Sequence, residues 1–285
     1  MSESPERAVV VFSLTSDIGL HVALRYRERG FKVYGTYKSS SGKEQILNSI
    51  PDAKLYYCDA NSFSSVDEAV QLISNDINAW DILISCPCIP EPLKPFFESD
   101  IDEWTSSFSL NSLAQLRFMH RIRNKARINT NNDPMVVFFA GGGTNNAVIN
   151  FSAYTSAKIH LIKMFELLAA EDASCKYVIL GPGWTKTKTH YRTLAATPED
   201  SPKHKEVLEF MSRENVGTPL DDIYFCIDWM DRQKILHVSG RNFSIVYDPW
   251  NKNDGKDLIQ LLSNDDNMYK LRRSGNNSFA TRNEL

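Results

Sequence analysis

Short apolar runs, too brief to be helices, recur along this chain between longer stretches whose apolar residues fall three and four apart. That alternation leaves few folds open. The runs Ala8–Ser13, Lys32–Tyr37, Lys54–Cys58, Ile82–Ser85, Met135–Ala140, Tyr177–Leu180 and His237–Val246 are mostly β-branched or aromatic and read as strands. Between them, Ile18–Arg29, Lys43–Ile50, Ser65–Asn75, Ile101–Ile128, Ala153–Asp172 and Leu220–Arg232 carry helical periodicity. Such alternation builds βαβ units. The expected fold is therefore α/β: a Rossmann-type, doubly wound parallel sheet flanked by helices, in a single domain. Ligands of such sheets sit beyond the carboxyl ends of the strands.

At 285 residues and 42% hydrophobic content, the chain can bury one large core, assigned to residues 1–250, with 251–285 as a polar C-terminal extension. That extension opens on Asn251-Lys-Asn-Asp-Gly-Lys256, holds one apolar stretch at Leu258–Leu262, and lies outside the alternating pattern, leaving it open to cover a neighbour's cleft, fold over its own sheet or move freely. A formal charge of -3 gives no reason to expect a nucleic-acid or membrane-surface partner. No apolar run approaches the roughly 20 residues of a membrane span, and Met1-Ser-Glu-Ser-Pro-Glu-Arg7 lacks the basic-then-apolar pattern of a leader. A cytoplasmic protein with a small-molecule partner is expected. The five cysteines (Cys58, Cys86, Cys88, Cys175, Cys226) are odd in number and scattered, which favours reduced thiols over a disulfide framework. Cys86-Pro-Cys88 has no companion Cys/His pair at ligand spacing, so no metal site is expected.

Two local patterns carry chemistry. Phe12-Ser-Leu-Thr-Ser-Asp-Ile-Gly19 joins the first strand directly to a helix, and free amides at a helix N-terminus attract anions such as a pyrophosphate. Only Gly19 remains of the glycines usual in such turns, Asp17 puts a negative charge where a phosphate would approach, and a plain cap by Ser16 or Asp17 explains the same residues. The second pattern is Ser152-Ala-Tyr-Thr-Ser-Ala-Lys158, whose spacing puts the Tyr154 phenol and the Lys158 ammonium on one helical face. A cation there lowers a phenol pKa from about 10 and makes it usable for proton transfer. The same spacing also occurs on ordinary surface helices.

The order of these pieces narrows the choice: the small-residue turn, Asp59 after the third strand, Asn111 in a long helix, Tyr154-x-x-x-Lys158, then Pro182-Gly-Trp-Thr-Lys-Thr187 and Val238-Ser-Gly-Arg-Asn242. Over roughly residues 7–248 this order resembles the short-chain dehydrogenase/reductase superfamily. The resemblance implies a nicotinamide dinucleotide and hydride transfer to or from a carbonyl or alcohol carbon. It casts Tyr154 as acid/base, Lys158 as the group that lowers its pKa and binds the nicotinamide ribose, and Asn111 as support for a water-linked proton relay. It assigns cofactor contacts to Ser13, Thr15, Ser16, Ile18, Gly19, Lys38, Asp59, Lys158, Pro182, Gly183 and Thr187. It also implies a homodimer or homotetramer paired through Ile101–Ile128 and Ala153–Asp172.

Departures from the family pattern are concentrated at the site. The family's substrate-binding serine, about thirteen residues before the tyrosine, is replaced by Gly141, and no hydroxyl lies between Phe138 and Gly143. Losing such a donor costs about 10²–10³ in rate, unless Thr144, Asn145 or a backbone N–H of the glycine run substitutes. Ser85-Cys-Pro-Cys88 stands where the family has Asn-Asn-Ala-Gly. A catalytically impaired or non-enzymatic binding protein is the alternative. At the end of the second strand, Lys38 with Ser39 and Ser40 suits a 2′-phosphate, favouring NADP(H) over NAD(H). The basic run Lys186-Thr-Lys-Thr-His-Tyr-Arg192 hints at an anionic or sugar-derived substrate, with His190 best placed among the histidines to touch it.

Overall fold

The computed structural model describes residues 6–128 and 132–273. Seven strands form one parallel sheet in the order β3-β2-β1-β4-β5-β6-β7. They are β1 (Ala8–Phe12), β2 (Lys32–Tyr37), β3 (Lys54–Tyr57), β4 (Ile82–Ser85), β5 (Met135–Phe139), β6 (Lys176–Gly181) and β7 (Arg241–Ser244). Every residue of β1, β4 and β5 is buried, as a parallel sheet covered on both faces requires. The two-residue pleat sorts their side chains: Val9, Val11, Ile82, Ile84, Met135 and Val137 join one core, and Val10, Phe12, Leu83, Val136 and Phe138 the other.

Helices α1 (Asp17–Glu28), α2 (Ser40–Ser49) and α9 (Leu220–Arg232) line the first core. Helix α3 (Phe63–Asp76) packs in the second with α5 (Ala114–Ile122) and α6 (Ser152–Glu171). The single helix expected over 101–128 is instead α4 (Ile101–Phe108), a π-helical turn at Ser109–Leu113 and α5, followed by a tight 3₁₀ turn at Arg123–Lys125. Past that turn the chain is extended, and Ala126 bridges Trp80. Four helices among the described residues come from segments given no helix by the sequence pattern: α11 (Lys256–Asn264), α7 (Lys188–Ala196), α8 (Pro202–Ser212) and α10 (Ile235–Val238). The last overturns the expected strand over 237–246. Gly240, at φ 76, turns the chain out of α10, so β7 begins only at Arg241.

Of the places left open to the extension, the structure shows it folded over its own sheet. Helix α11 (Lys256–Asn264) sends Leu258 and Leu262 fully into the first core, beside Trp229 and Trp250. Gly255 permits the approach: its φ is 70, and a Cβ there would lie 2.5 Å from the Trp229 indole nitrogen. The buried Arg241 guanidinium donates to the carbonyls of Leu262, Asp265 and Met268, and the Asn242 N–H donates to Tyr269 O at 2.9 Å. The segment thus covers the free edge of β7. No helix among the described residues is long and apolar enough to cross a membrane. Leu258→Ala should destabilise the protein by about 2–5 kcal/mol in urea unfolding; a loss near zero would show that α11 is an appendage.

Candidate active site

Loops from the carboxyl ends of six strands converge on one cleft. After β1 the chain turns at Ser13, whose φ of 62 takes it out of the strand where the sequence pattern places it. Its N–H donates to Thr36 Oγ1 at 2.7 Å, and Leu14 N–H donates to Thr36 O, fastening the turn to β2. Leu14 itself fills the space above Gly35, where a Cβ would come within 2.3 Å of Leu14 Cδ2. Ser16 caps α1 by accepting from Gly19 N–H, which leaves the amides of Asp17 and Ile18 without intrahelical acceptors. Gly19 is confined: a Cβ would meet Ser16 Oγ at 2.7 Å and Cys86 Sγ at 3.2 Å. Small residues and outward amides suit a phosphate. Asp17 is the exception, and its carboxylate is engaged by the Lys188 N–H at 2.7 Å on the opposite side of the cleft.

After β2 and β3, Lys38 Nζ meets Asp59 Oδ2 at 2.9 Å, bringing those two expected cofactor residues together. Burial acts most strongly on Asp59 and would raise its pKa, but the Asn61 amide and Lys38 hold it below its ordinary value. Ser39 is occupied as the cap of α2, accepting from Gly42 N–H at 3.1 Å.

Tyr154 and Lys158 occupy the first turns of α6, and Lys158 is buried. The ammonium lies 5.7 Å from the centre of the Tyr154 ring. Burial lowers the Lys158 pKa, against the opposing influence of Cys88 and Cys86. The Tyr154 phenol is shifted in the direction opposite to that expected from its lysine neighbour. Burial pushes it well above its ordinary value, and the Cys88 sulfur, to which its hydroxyl is hydrogen-bonded, adds to the rise. Burial likewise pushes the Cys86 thiol up to about 12, against the hydrogen bond from Ser16 and the charge of Lys158.

The place of the missing serine is taken by the phenol itself. A Cβ on Gly141 would meet Tyr154 Cε1 at 2.4 Å and the hydroxyl oxygen at 2.5 Å. Gly143, at φ 99, lies as closely on Thr155, whose buried hydroxyl has no hydrogen-bond partner among the described residues. Thr144 is half-buried and Asn145 exposed, both in the bend that follows the glycines. The glycine run therefore serves the approach of α6 to β5.

Asn111 is fully buried at the π-helical turn. Its amide accepts from Ile89 N–H at 3.1 Å and donates to Ile89 O at 2.8 Å, while its own carbonyl accepts from Gln115 Nε2. Gln115, buried one turn later, also donates to Pro87 O and accepts from the Ser85 hydroxyl. These two amides hold the Cys86-Pro-Cys88 loop, whose thiols face Ser16 and Tyr154. Gln115 was not among the residues singled out from the sequence. Its four-residue spacing from Asn111, itself four residues after the buried Ser107, is the signal that could have found it. Cys58, Cys175 and Cys226 are buried thiols, and all five cysteines are free. Among the described residues no group of three or more metal-ligating side chains comes together.

Beyond β6, Gly183 adopts φ 72 between Thr218 and Val246, where a Cβ would meet each at 2.6 Å. Pro182 precedes it, half-buried, and Thr187 ends the loop at the start of α7. The following basic run does not act as a unit: Lys186 donates to the carbonyls of Met211 and Arg213, Lys188 reaches back to the β1 turn, and Arg192 donates to Glu91 at 3.0 Å. His190 packs against Trp184 and Phe210, with its ring centre 5.6 and 5.1 Å from theirs. Its pKa is lowered, chiefly by burial. Lys203, from α8, stands 4.6 Å over the Trp184 ring and 5.7 Å from that of Phe151, whose ring neighbours Tyr154.

Residues 7–196 match the family described as short chain dehydrogenase, and the chain belongs to that family. No curated protein matches it by sequence. Among solved structures, it is similar to a short-chain dehydrogenase/reductase from Saccharomyces cerevisiae: TM-score 0.75 and 17% identity, covering 87% of this chain and 98% of that one. It is also similar to an actinorhodin polyketide ketoreductase solved with NADPH (TM-score 0.73, 16% identity, 86% and 97% coverage). A ligand-free aldohexose dehydrogenase from Thermoplasma acidophilum gives TM-score 0.69 at 15% identity, covering 84% and 92%. At these identities the likeness is one of fold.

The contact between Gly141 and the phenol predicts a coupled pair. Gly141→Ala should cost about 1–3 kcal/mol in chemical unfolding by overpacking, and almost nothing when made on a Tyr154→Ala background. Equal costs on the two backgrounds would mean that the phenol does not rest on Gly141.

Proposed function

We propose that this protein is an NADP(H)-dependent oxidoreductase that interconverts a carbonyl and a hydroxyl on a small metabolite. The observation that carries the reading is the pairing of a buried Lys158 with a half-buried Tyr154 at the head of α6, the ammonium 5.7 Å from the centre of the phenol ring. The turn from Ser13 to Gly19, Lys38, Asp59, Lys158 and the Pro182–Thr187 loop would hold the dinucleotide. When bound, the nicotinamide supplies or accepts hydride. Tyr154 donates its hydroxyl proton to the substrate oxygen during reduction. A phenol kept protonated by burial is in the form this step needs. Lys158 places a positive charge beside the phenol and steadies the phenolate that donation leaves. Asn111 and Gln115 are positioning residues, fixing the loop that carries Cys88 to the phenol hydroxyl.

A second reading, a binding protein that has lost efficient hydride transfer, is favoured by one observation. The Tyr154 hydroxyl lies in the space that a side chain at position 141 would fill, and it faces the Cys88 sulfur. Nicotinamide titration followed by Trp184 fluorescence, combined with turnover, separates the two: binding without turnover on any carbonyl tested would favour the second.

Under the first reading Tyr154→Phe should lower turnover by about 10²–10⁴-fold while leaving dinucleotide affinity nearly intact. The acid must be protonated, and its pKa is raised above about 10, so the reduction rate should be level from pH 6 to 8 and fall only as pH rises through the raised pKa. A fall centred near neutrality would remove Tyr154 from the proton-donating role. Lys38→Ala should weaken NADPH about tenfold more than NADH in calorimetric titration, and equal losses would return the choice of cofactor to NAD(H) or to neither.

A further inference from the structure

Lys188 is the member of the basic run whose side chain reaches the turn after β1. Its ammonium lies 3.2 Å from Thr15 O, 3.1 Å from Gln45 Oε1 on α2 and 3.7 Å from Asp17 Oδ1. Its backbone N–H separately holds the other oxygen of the same carboxylate, Asp17 Oδ2, at 2.7 Å. One residue of α7 therefore joins the turn after β1 to the helix after β2. Lys186 and Arg192, on either side, are committed elsewhere, to the carbonyls that end α8 and to Glu91.

We infer that Lys188 is a cofactor-binding residue, whose ammonium pairs with the diphosphate of the dinucleotide, and that its backbone holds Asp17 turned away from that diphosphate. The inference rests on the dinucleotide reading above. Its physical basis is a charge problem particular to this turn. A diphosphate brings two negative charges to a place where Asp17 already supplies one, and like charges in a partly buried cleft repel by an amount that a helix N-terminus does not offset. A cation at Thr15 removes the difficulty if it can change partners.

The distances allow that exchange. The ammonium contact with Asp17 is loose at 3.7 Å, whereas the backbone contact is short at 2.7 Å, so the side chain can leave the carboxylate while the main chain keeps it. Lys188 is more than half exposed, and an exposed ion pair is too weak to lock the cleft shut. Against a phosphate, the same ammonium forms a charge-assisted bond of a stronger kind. The basic run, expected from its sequence to face an anionic substrate, thus contributes this lysine to the cofactor side.

The test compares wild type with Lys188→Gln, Lys188→Arg and Asp17→Asn, titrating NADPH, NADH and ADP-ribose by calorimetry at low and high ionic strength. Lys188→Gln should raise all three dissociation constants by about tenfold, and the loss should shrink as salt screens the charge. Lys188→Arg should retain most of the affinity, and Asp17→Asn should bind all three at least as tightly as wild type. Unchanged or tighter binding by Lys188→Gln would overturn the inference, the latter by showing that the lysine closes an empty cleft. A loss confined to NADPH would overturn it too, moving the contact to the 2′-phosphate. If wild type bound none of the three ligands, the dinucleotide reading itself would fall; if it bound them and only the lysine variants behaved otherwise, that reading would stand without this contact.

Discussion

Everything functional in this protein depends on a parallel sheet buried on both faces, with its strand order reversing between β1 and β4. Parallel strands place all their carboxyl ends on one side, and the reversal sends successive crossovers to opposite faces, so the loops after β1 and β4 part and leave a crevice. Ser13–Gly19, Lys38, Asp59, Cys86–Cys88, Gly141 and Pro182–Thr187 all hang from that side. The apolar β-branched interior keeps the sheet rigid, which lets short loops of small residues hold polar groups at fixed separations.

Within the crevice, polar side chains are mostly committed to holding backbone. Asn111 and Gln115 fasten the β4 loop, Ser16 and Ser39 cap helices, and Lys186 ties down the end of α8. What remains for chemistry is a compact group: Tyr154, Lys158 and the two thiols of Cys86 and Cys88. Its character differs from a simple tyrosine–lysine couple because burial, with the Cys88 sulfur, raises the phenol's pKa where a lysine charge would lower it. Where a serine would normally stand, the glycine lets the phenol ring settle against the backbone of the β5 loop.

Most of the architecture was legible because it is written in local periodicity. Val9 and Val11 against Val10 and Phe12 is a two-residue alternation, and α9 begins and ends where its three- and four-residue spacing does. Failures arose where local pattern and tertiary packing disagree. Arg241 looked like part of a longer strand, yet Gly240 turns the chain just before it; Leu258 and Leu262 looked like a minor apolar patch in a polar tail, yet they complete the core beside Trp229. The π-helical turn at Asn111 was invisible because it adds a residue to the helix without altering composition.

The sequence by itself determined the βαβ order, the faces of the helices and the one-turn spacing of Tyr154 and Lys158, since each depends on residues close together along the chain. Only the tertiary structure decided which groups those residues meet. Asp17 and Lys188 are 171 positions apart, and Asn111 reaches a peptide 22 positions away. The phenol can rest where it does only because no Cβ stands at Gly141, where one would come within 2.4 Å of the ring of an element packed against it. Contacts of this kind follow from backbone direction and close packing across the sheet, and those are fixed only when the whole chain has folded.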